Sequence, residues 1–135
     1  MEMILYNTKG DPLAYIASDY RDTIYLWDGH PVAYLYEEEH VYGINGRHLG
    51  WLKDEILYNN DGERVGFTFT TCPARIAKPP AKKKKAPLDE IRPRWKAPPW
   101  PKFGFKVAGQ DLADLLKEGQ VMAFEGETSE EASQD

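Results

Sequence analysis

The 135-residue chain predicts an all-β fold: four β-hairpin repeats closed into a small, shallow, pseudo-fourfold barrel, then a Pro/Lys-rich linker and a short C-terminal helical segment. Three observations carry this. One phrase recurs four times with the same internal offsets: a tyrosine, a turn glycine, then an aliphatic-small-aromatic triplet. Its copies are Tyr6, Gly10, Leu13-Ala14-Tyr15; Tyr25, Gly29, Val32-Ala33-Tyr34; Tyr42, Gly46, Leu49-Gly50-Trp51; and Tyr58, Gly62, Val65-Gly66-Phe67. Each glycine sits where a hairpin must turn, and both faces of each hairpin are apolar enough that no hairpin can stand alone in water.

Taken in order, each repeat reads as two strands around a tight turn. Asp28-Gly29, Asn45-Gly46 and Asp61-Gly62 have the composition of a two-residue type I′ turn, with positive φ at both positions; Lys9-Gly10 is a weaker fourth member. A two-residue turn sets Tyr25 opposite Val32 and Ile24 opposite Ala33. One face then collects Tyr25, Val32 and Tyr34, and the other Ile24, Leu26, Ala33 and Leu35. The second face repeats as Leu5, Ala14, Ile16; as Val41, Gly50, Leu52; and as Leu57, Gly66, Thr68. Closing four hairpins into a ring removes sheet edges and crowds equivalent side chains near the axis, which accounts for the Ala/Ala/Gly/Gly column. The preferred assignment puts that column and its aliphatic neighbours inside and the aromatics outside. Periodicity alone leaves the reverse assignment open. Pro12 and Pro31 lie two residues after their glycines, at a rim where a ladder donor is missing.

These repeats resemble the bacterial four-fold β-flower domain family over about residues 4–70, most closely in Val41-Tyr42-Gly43-Ile44-Asn45-Gly46-Arg47-His48-Leu49-Gly50-Trp51. The resemblance implies a shallow barrel of hairpin petals with an apolar central channel, similar in outline to lipid-binding tubby-like barrels. It implies no particular activity.

Charge divides the chain. Residues 1–71 hold 5 Lys/Arg against 12 Asp/Glu, residues 72–107 hold 11 against 2, and residues 108–135 hold 1 against 8. The predicted organisation is a four-hairpin domain at 1–71, a Pro-rich basic linker at 72–102, an apolar helical segment at 103–120 and an acidic disordered tail at 121–135. Pro79-Pro80, Pro87, Pro93 and Pro98-Pro99 make the linker an extended, semi-rigid spacer. Two functional readings compete with that one. Lys82, Lys83, Lys84, Lys85, Arg92, Arg94 and Lys96 could meet an anionic membrane or, less favoured, nucleic acid, while Arg94-Trp95-Lys96-Ala97-Pro98-Pro99-Trp100 could dock in a partner protein's polyproline groove. Phe103-Gly104-Phe105 reads as a short strand. Leu112, Leu115 and Leu116 fall at helical spacing within residues 111–118, in a helix that must either dock or fray.

Nothing in the chain assembles an active site. His30, His40 and His48 fall at three phases of the repeat, so fourfold closure would not gather them symmetrically, and no metal, cofactor or enzymatic activity is expected. Cys72 is the one cysteine, at the end of the repeats. The start of the sequence carries no secretory pattern and no apolar run is long enough to span a bilayer, so the expected place is the cytoplasm or the membrane periphery. The expected function is a non-catalytic binding module for a lipid-like or other hydrophobic small molecule. Its channel candidates are Leu5, Ala14, Ile16, Ile24, Ala33, Leu35, Val41, Gly50, Leu52, Leu57 and Gly66. The alternative is a structural scaffold presenting linker and C-terminal segment to protein partners.

Overall fold

A computed structural model describes residues 2–88 and 90–121. Eight antiparallel strands follow one another around a closed barrel: β1 Glu2–Tyr6, β2 Pro12–Ala17, β3 Thr23–Leu26, β4 Pro31–Tyr36, β5 His40–Gly43, β6 His48–Lys53, β7 Ile56–Asn59 and β8 Arg64–Phe67. Tyr6 pairs with Phe67 to close the ring. The same junction recurs between the other hairpins as Tyr15 with Tyr25, Tyr34 with Tyr42 and Trp51 with Tyr58. The repeat is thus fourfold in register as well as in sequence.

The turns differ from the two-residue expectation. Only the glycines have positive φ there, between +81° and +95°, and the residue before each lies outside the left-handed region. In the second hairpin Gly29 N–H donates to Leu26 O at 2.9 Å and Leu26 N–H donates to His30 O at 2.9 Å. That is a three-residue loop whose last member is the left-handed glycine. Asp28 and Asn45 instead serve as side-chain acceptors, taking the N–H of His30 and Arg47 at 3.0 Å each. Asn7 and Asn59 fill that role in the first and fourth hairpins. Paired left-handed residues occur at the opposite mouth, at Arg21-Asp22, Glu37-Glu38 and Asp54-Glu55.

The longer loop brings a bulge. Leu5 pairs with Ala14 but Tyr6 with Pro12, leaving Leu13 as an extra residue; Val32, Leu49 and Val65 are its counterparts. Bulges bend and twist a strand, which lets such short strands close. They also move a side chain. Val32, expected beside Tyr25 and Tyr34, is fully buried in the core with Leu49 and Val65. Pro12 and Pro31 open β2 and β4, the strand positions where a missing N–H costs least.

Beyond the barrel, the expected free spacer is a packed belt. Its backbone meets the four turns in succession: Ala77, Ala86, Trp95 and Gly104 N–H donate to Gly10, Gly29, Gly46 and Gly62 O at 2.9, 2.8, 2.8 and 3.1 Å. The donors are nine residues apart throughout. Phe103 to Phe105 form no strand; the one bridge nearby is parallel, between Arg64 and Val107. The chain then enters helix α1, Leu112–Lys117, whose first turn is capped by the Asp111 carboxylate accepting from Ala113 N–H at 3.2 Å. The acidic tail, Val121 apart, lies outside the described residues.

Candidate functional site

The axis of the barrel is apolar and filled. Leu5, Ala14, Ile16, Ile24, Ala33, Val41 and Leu57 form one buried cluster, with Leu35 and Leu52 packed on it and partly exposed. Leu112, Leu115 and Leu116 of α1 belong to the same cluster, so the helix docks as a plug. Polar tethers hold it in place. Asn7 Nδ2 donates to Asp111 Oδ1 at 3.0 Å, Asn45 Nδ2 to Glu118 O at 2.8 Å, and Asn45 N–H to Gly119 O at 3.1 Å.

The two glycines of the small column have different neighbours. A Cβ on Gly66 would come 2.9 Å from Leu112 Cδ1, so this glycine makes room for the plug. A Cβ on Gly50 would run into the backbone carbonyl of Tyr58 on β7. Crowding at the axis therefore explains Gly66, and close approach of a neighbouring strand explains Gly50. Sequence reasoning missed the plug leucines as channel occupants, although their spacing of three and four residues was visible.

Outside, the aromatic pairs at the hairpin junctions form grooves that the belt fills. Two positions of each nine-residue unit, three residues apart, lie over or beside three of these grooves. Lys82 and Lys85 cover Tyr15 and Tyr25, Ile91 and Arg94 cover Tyr34 and Tyr42, and Trp100 and Phe103 cover Trp51 and Tyr58. The Lys85 ammonium is 5.0–5.6 Å from the ring centres of Tyr15, Tyr20 and Tyr25, a three-ring cage. Glu2 ion-pairs with both Lys82 and Lys85, and hydrogen bonding from Lys82 holds its carboxyl below the usual range against the opposing effect of burial. Arg94 lies 3.8 Å over Tyr36 and donates to Tyr34 Oη at 3.3 Å. Three of the seven cations expected to face an anionic surface thus have partners on their own barrel; Lys83, Lys84, Arg92 and Lys96 are exposed.

Two of the three histidines meet across the third hairpin. His48 Nδ1 is 2.9 Å from Asn60 Oδ1, while Asn60 Nδ2 donates to His48 O at 2.9 Å, which fixes the amide so that its oxygen accepts. His48 Nε2 is then the acceptor for His40 Nδ1–H at 3.1 Å. Burial pushes His48 down to about 4, the hydrogen bond it donates to Asn60 opposing and His40 reinforcing the shift. His30 is apart, beside Asp28 on its own turn. Among the described residues no three His, Cys, Asp or Glu side chains come together as a metal site, and no helix is long and apolar enough to cross a membrane. A surface cleft of about 670 Å³ lies between the first inter-hairpin loop and the belt, lined by Asp19, Tyr20, Arg21, Tyr25 and residues 84–88.

A family model described as 4-fold beta flower protein matches residues 3–116, and the chain belongs to that family. The match runs past the hairpins through the belt and into α1, so it is longer than the 4–70 stretch that carried the resemblance. No curated protein and no solved structure shows a significant match to the chain.

Proposed function

We propose that the chain is a non-catalytic binding module whose apolar bore takes a lipid-like or other hydrophobic ligand when α1 withdraws, acting in the cytoplasm or at the membrane periphery. The supporting observation is the plug itself. Three leucines from outside the strands sit fully or almost fully buried among Leu5, Ile24, Val41 and Leu57, so the wall accommodates a compact apolar body. A six-residue helix has little stability of its own and is held by those leucines and its tethers. Burial of each leucine is worth about 1.5–3 kcal/mol before the cost of ordering the segment. A ligand would have to outbid the remainder, which lowers its apparent affinity by the fraction of molecules with the plug out.

The test compares a solvatochromic hydrophobic dye and native lipid mass spectrometry on the parent and on a Leu115→Ser, Leu116→Ser variant, with near-ultraviolet circular dichroism to check folding. Dye or lipid binding that rises in the folded variant supports the gated bore. A folded variant that binds neither leaves the second reading, a scaffold that presents the belt to protein partners. The closed core and the exposed Trp95, Trp100 and Phe105 favour that second reading.

A further inference from the structure

We propose that the quarter-turn of the belt over the third and fourth hairpins is a docking face for an anionic lipid bilayer. This proposal does not need the bore to open. Between the Gly46 turn and the Gly62 turn the belt carries Trp95 and Trp100, and just beyond it Phe105; their exposures are 59%, 54% and 87%. All three have a barrel cation over the ring: Arg47 at 5.7 Å from Trp95, Lys53 at 4.7 Å from Trp100 and Arg64 at 4.7 Å from Phe105. Around them, residues 91–107 hold five Lys/Arg and no Asp/Glu. Of the acids beside it, Glu63 pairs with Lys106 at 3.1 Å and Glu118 with Arg47 at 3.8 Å, while Asp61 on the Gly62 turn is exposed.

Charge complementarity selects the partner. The chain as a whole is acidic, at −5, yet this face presents Arg92, Lys96, Lys102 and Lys106 outward beside unburied aromatic rings. Tryptophan and phenylalanine at a water boundary, ringed by basic side chains, suit the headgroup layer of a bilayer, where rings enter the interface and cations meet anionic lipid. Spacing argues against a single-stranded nucleic acid. The rings fall every five residues along an extended belt, roughly 16 Å apart at about 3.3 Å per residue, which is too far for successive bases to stack on them. The lysine run does not provide an equivalent face, because Lys82 and Lys85 are turned onto Glu2 and the tyrosines.

The test is co-sedimentation of the full chain with phosphatidylcholine vesicles containing about 30% phosphatidylserine, at ~50 mM salt where screening is weak. Tryptophan quenching by brominated lipid is read in parallel. The parent should bind these vesicles and leave pure phosphatidylcholine alone. Trp95→Ser with Phe105→Ser should lower binding at least about tenfold, as should Lys96→Gln with Lys102→Gln and Lys106→Gln, since each basic residue near such a surface counts for several-fold. These side chains are exposed, so the barrel should melt unchanged. Lys83→Gln with Lys84→Gln, on the second belt unit, should leave binding within about twofold of the parent. The proposal is overturned if the parent does not bind, if pure phosphatidylcholine binds as well, or if the second-unit variant loses as much as the others. It is equally overturned if a single-stranded oligonucleotide binds the parent in preference to the vesicles.

Discussion

Substituting Gly46 by alanine tests whether the belt is held by the turns. Gly46 has φ +95°, a conformation that costs an L-residue about 1–2 kcal/mol. The new Cβ would also press into the carbonyl of Pro93, whose carbon atom it would approach to 3.1 Å. Backbone cannot swing aside as a side-chain end can, so the belt must lift. Lifting breaks the 2.8 Å bond from Trp95 N–H to Gly46 O, worth about 1 kcal/mol net. The total is roughly 2–3 kcal/mol, a large share of the 5–15 kcal/mol that holds a domain together.

Urea unfolding reads the total and amide hydrogen exchange locates it. Gly46→Ala should lower the midpoint and expose the amides of Arg92 and Trp95, which bond to Ile44 O and Gly46 O, while β1 and β2 amides keep their protection. Gly104→Ala is the control. It lies on the belt with nothing within 4 Å of its would-be Cβ, and should change stability by no more than about 0.5 kcal/mol. If Gly46→Ala melts like the parent and Trp95 stays protected, the turn-to-belt contact does not hold the belt and the reasoning fails.

Two further outcomes follow from the site. Because His48 is held down to about 4 when folded and returns to its ordinary value near 6.5 when unfolded, the unfolded chain takes up a proton that the folded chain refuses. Stability is therefore complete above pH 6.5 and declines as pH falls toward 4, by roughly 1 kcal/mol after discounting for the partial exposure of the ring, and His48→Gln should flatten that part of the urea midpoint against pH. In the small column, Gly50→Ala should cost about 2–3 kcal/mol because it meets β7 backbone, whereas Gly66→Ala should cost about 1 kcal/mol, since the end of Leu112 can move; calorimetry giving the reverse order would contradict the two placements.

What was legible in the sequence was whatever the hairpins repeat as side chains. The four tyrosines, the turn glycines and the apolar column specify strand order and closure, whereas the sequence allows either face to be inside, and it is the buried cluster of Leu5, Ala14, Ile24, Ala33, Val41 and Leu57 that puts the aliphatic face at the axis. Turn type was not legible, because Asp-Gly and Asn-Gly serve two designs: both residues left-handed, or an acceptor side chain followed by one left-handed glycine. The bulges escaped with it, and so Val32 was assigned to the wrong face. The belt was hidden for another reason. Its contacts with the turns are backbone to backbone, and its phase carries no fixed residue: the positions over the grooves are Lys82, Ile91 and Trp100, then Lys85, Arg94 and Phe103. Prolines that read as an unattached spacer suit an extended strap just as well, because neither makes a regular ladder.

The belt's constant period also explains why the hairpins can afford to be unequal. From Tyr6 to Tyr25 is 19 residues, from Tyr25 to Tyr42 is 17, and from Tyr42 to Tyr58 is 16. The inter-hairpin connections shrink in step, from five residues at 18–22 to three at 37–39 and two at 54–55, and these differences account for all of the change in period. Length variation is thus confined to the mouth away from the turn glycines. The turn mouth, where the belt docks every nine residues and α1 enters, keeps one geometry in all four hairpins. Selection for a belt and plug in fixed register would tolerate insertions at the first mouth and oppose them at the second. Adding two residues to the 37–39 connection should therefore leave the Ala86 and Trp95 amides protected in hydrogen exchange, at a loop-closure cost below about 1 kcal/mol. Adding one residue to the belt between Lys96 and Pro101 should expose Gly104 and Ala108, whose N–H groups bond to Gly62 O and Arg64 O. If the inserted belt keeps both amides protected, the nine-residue register is not a constraint on this fold.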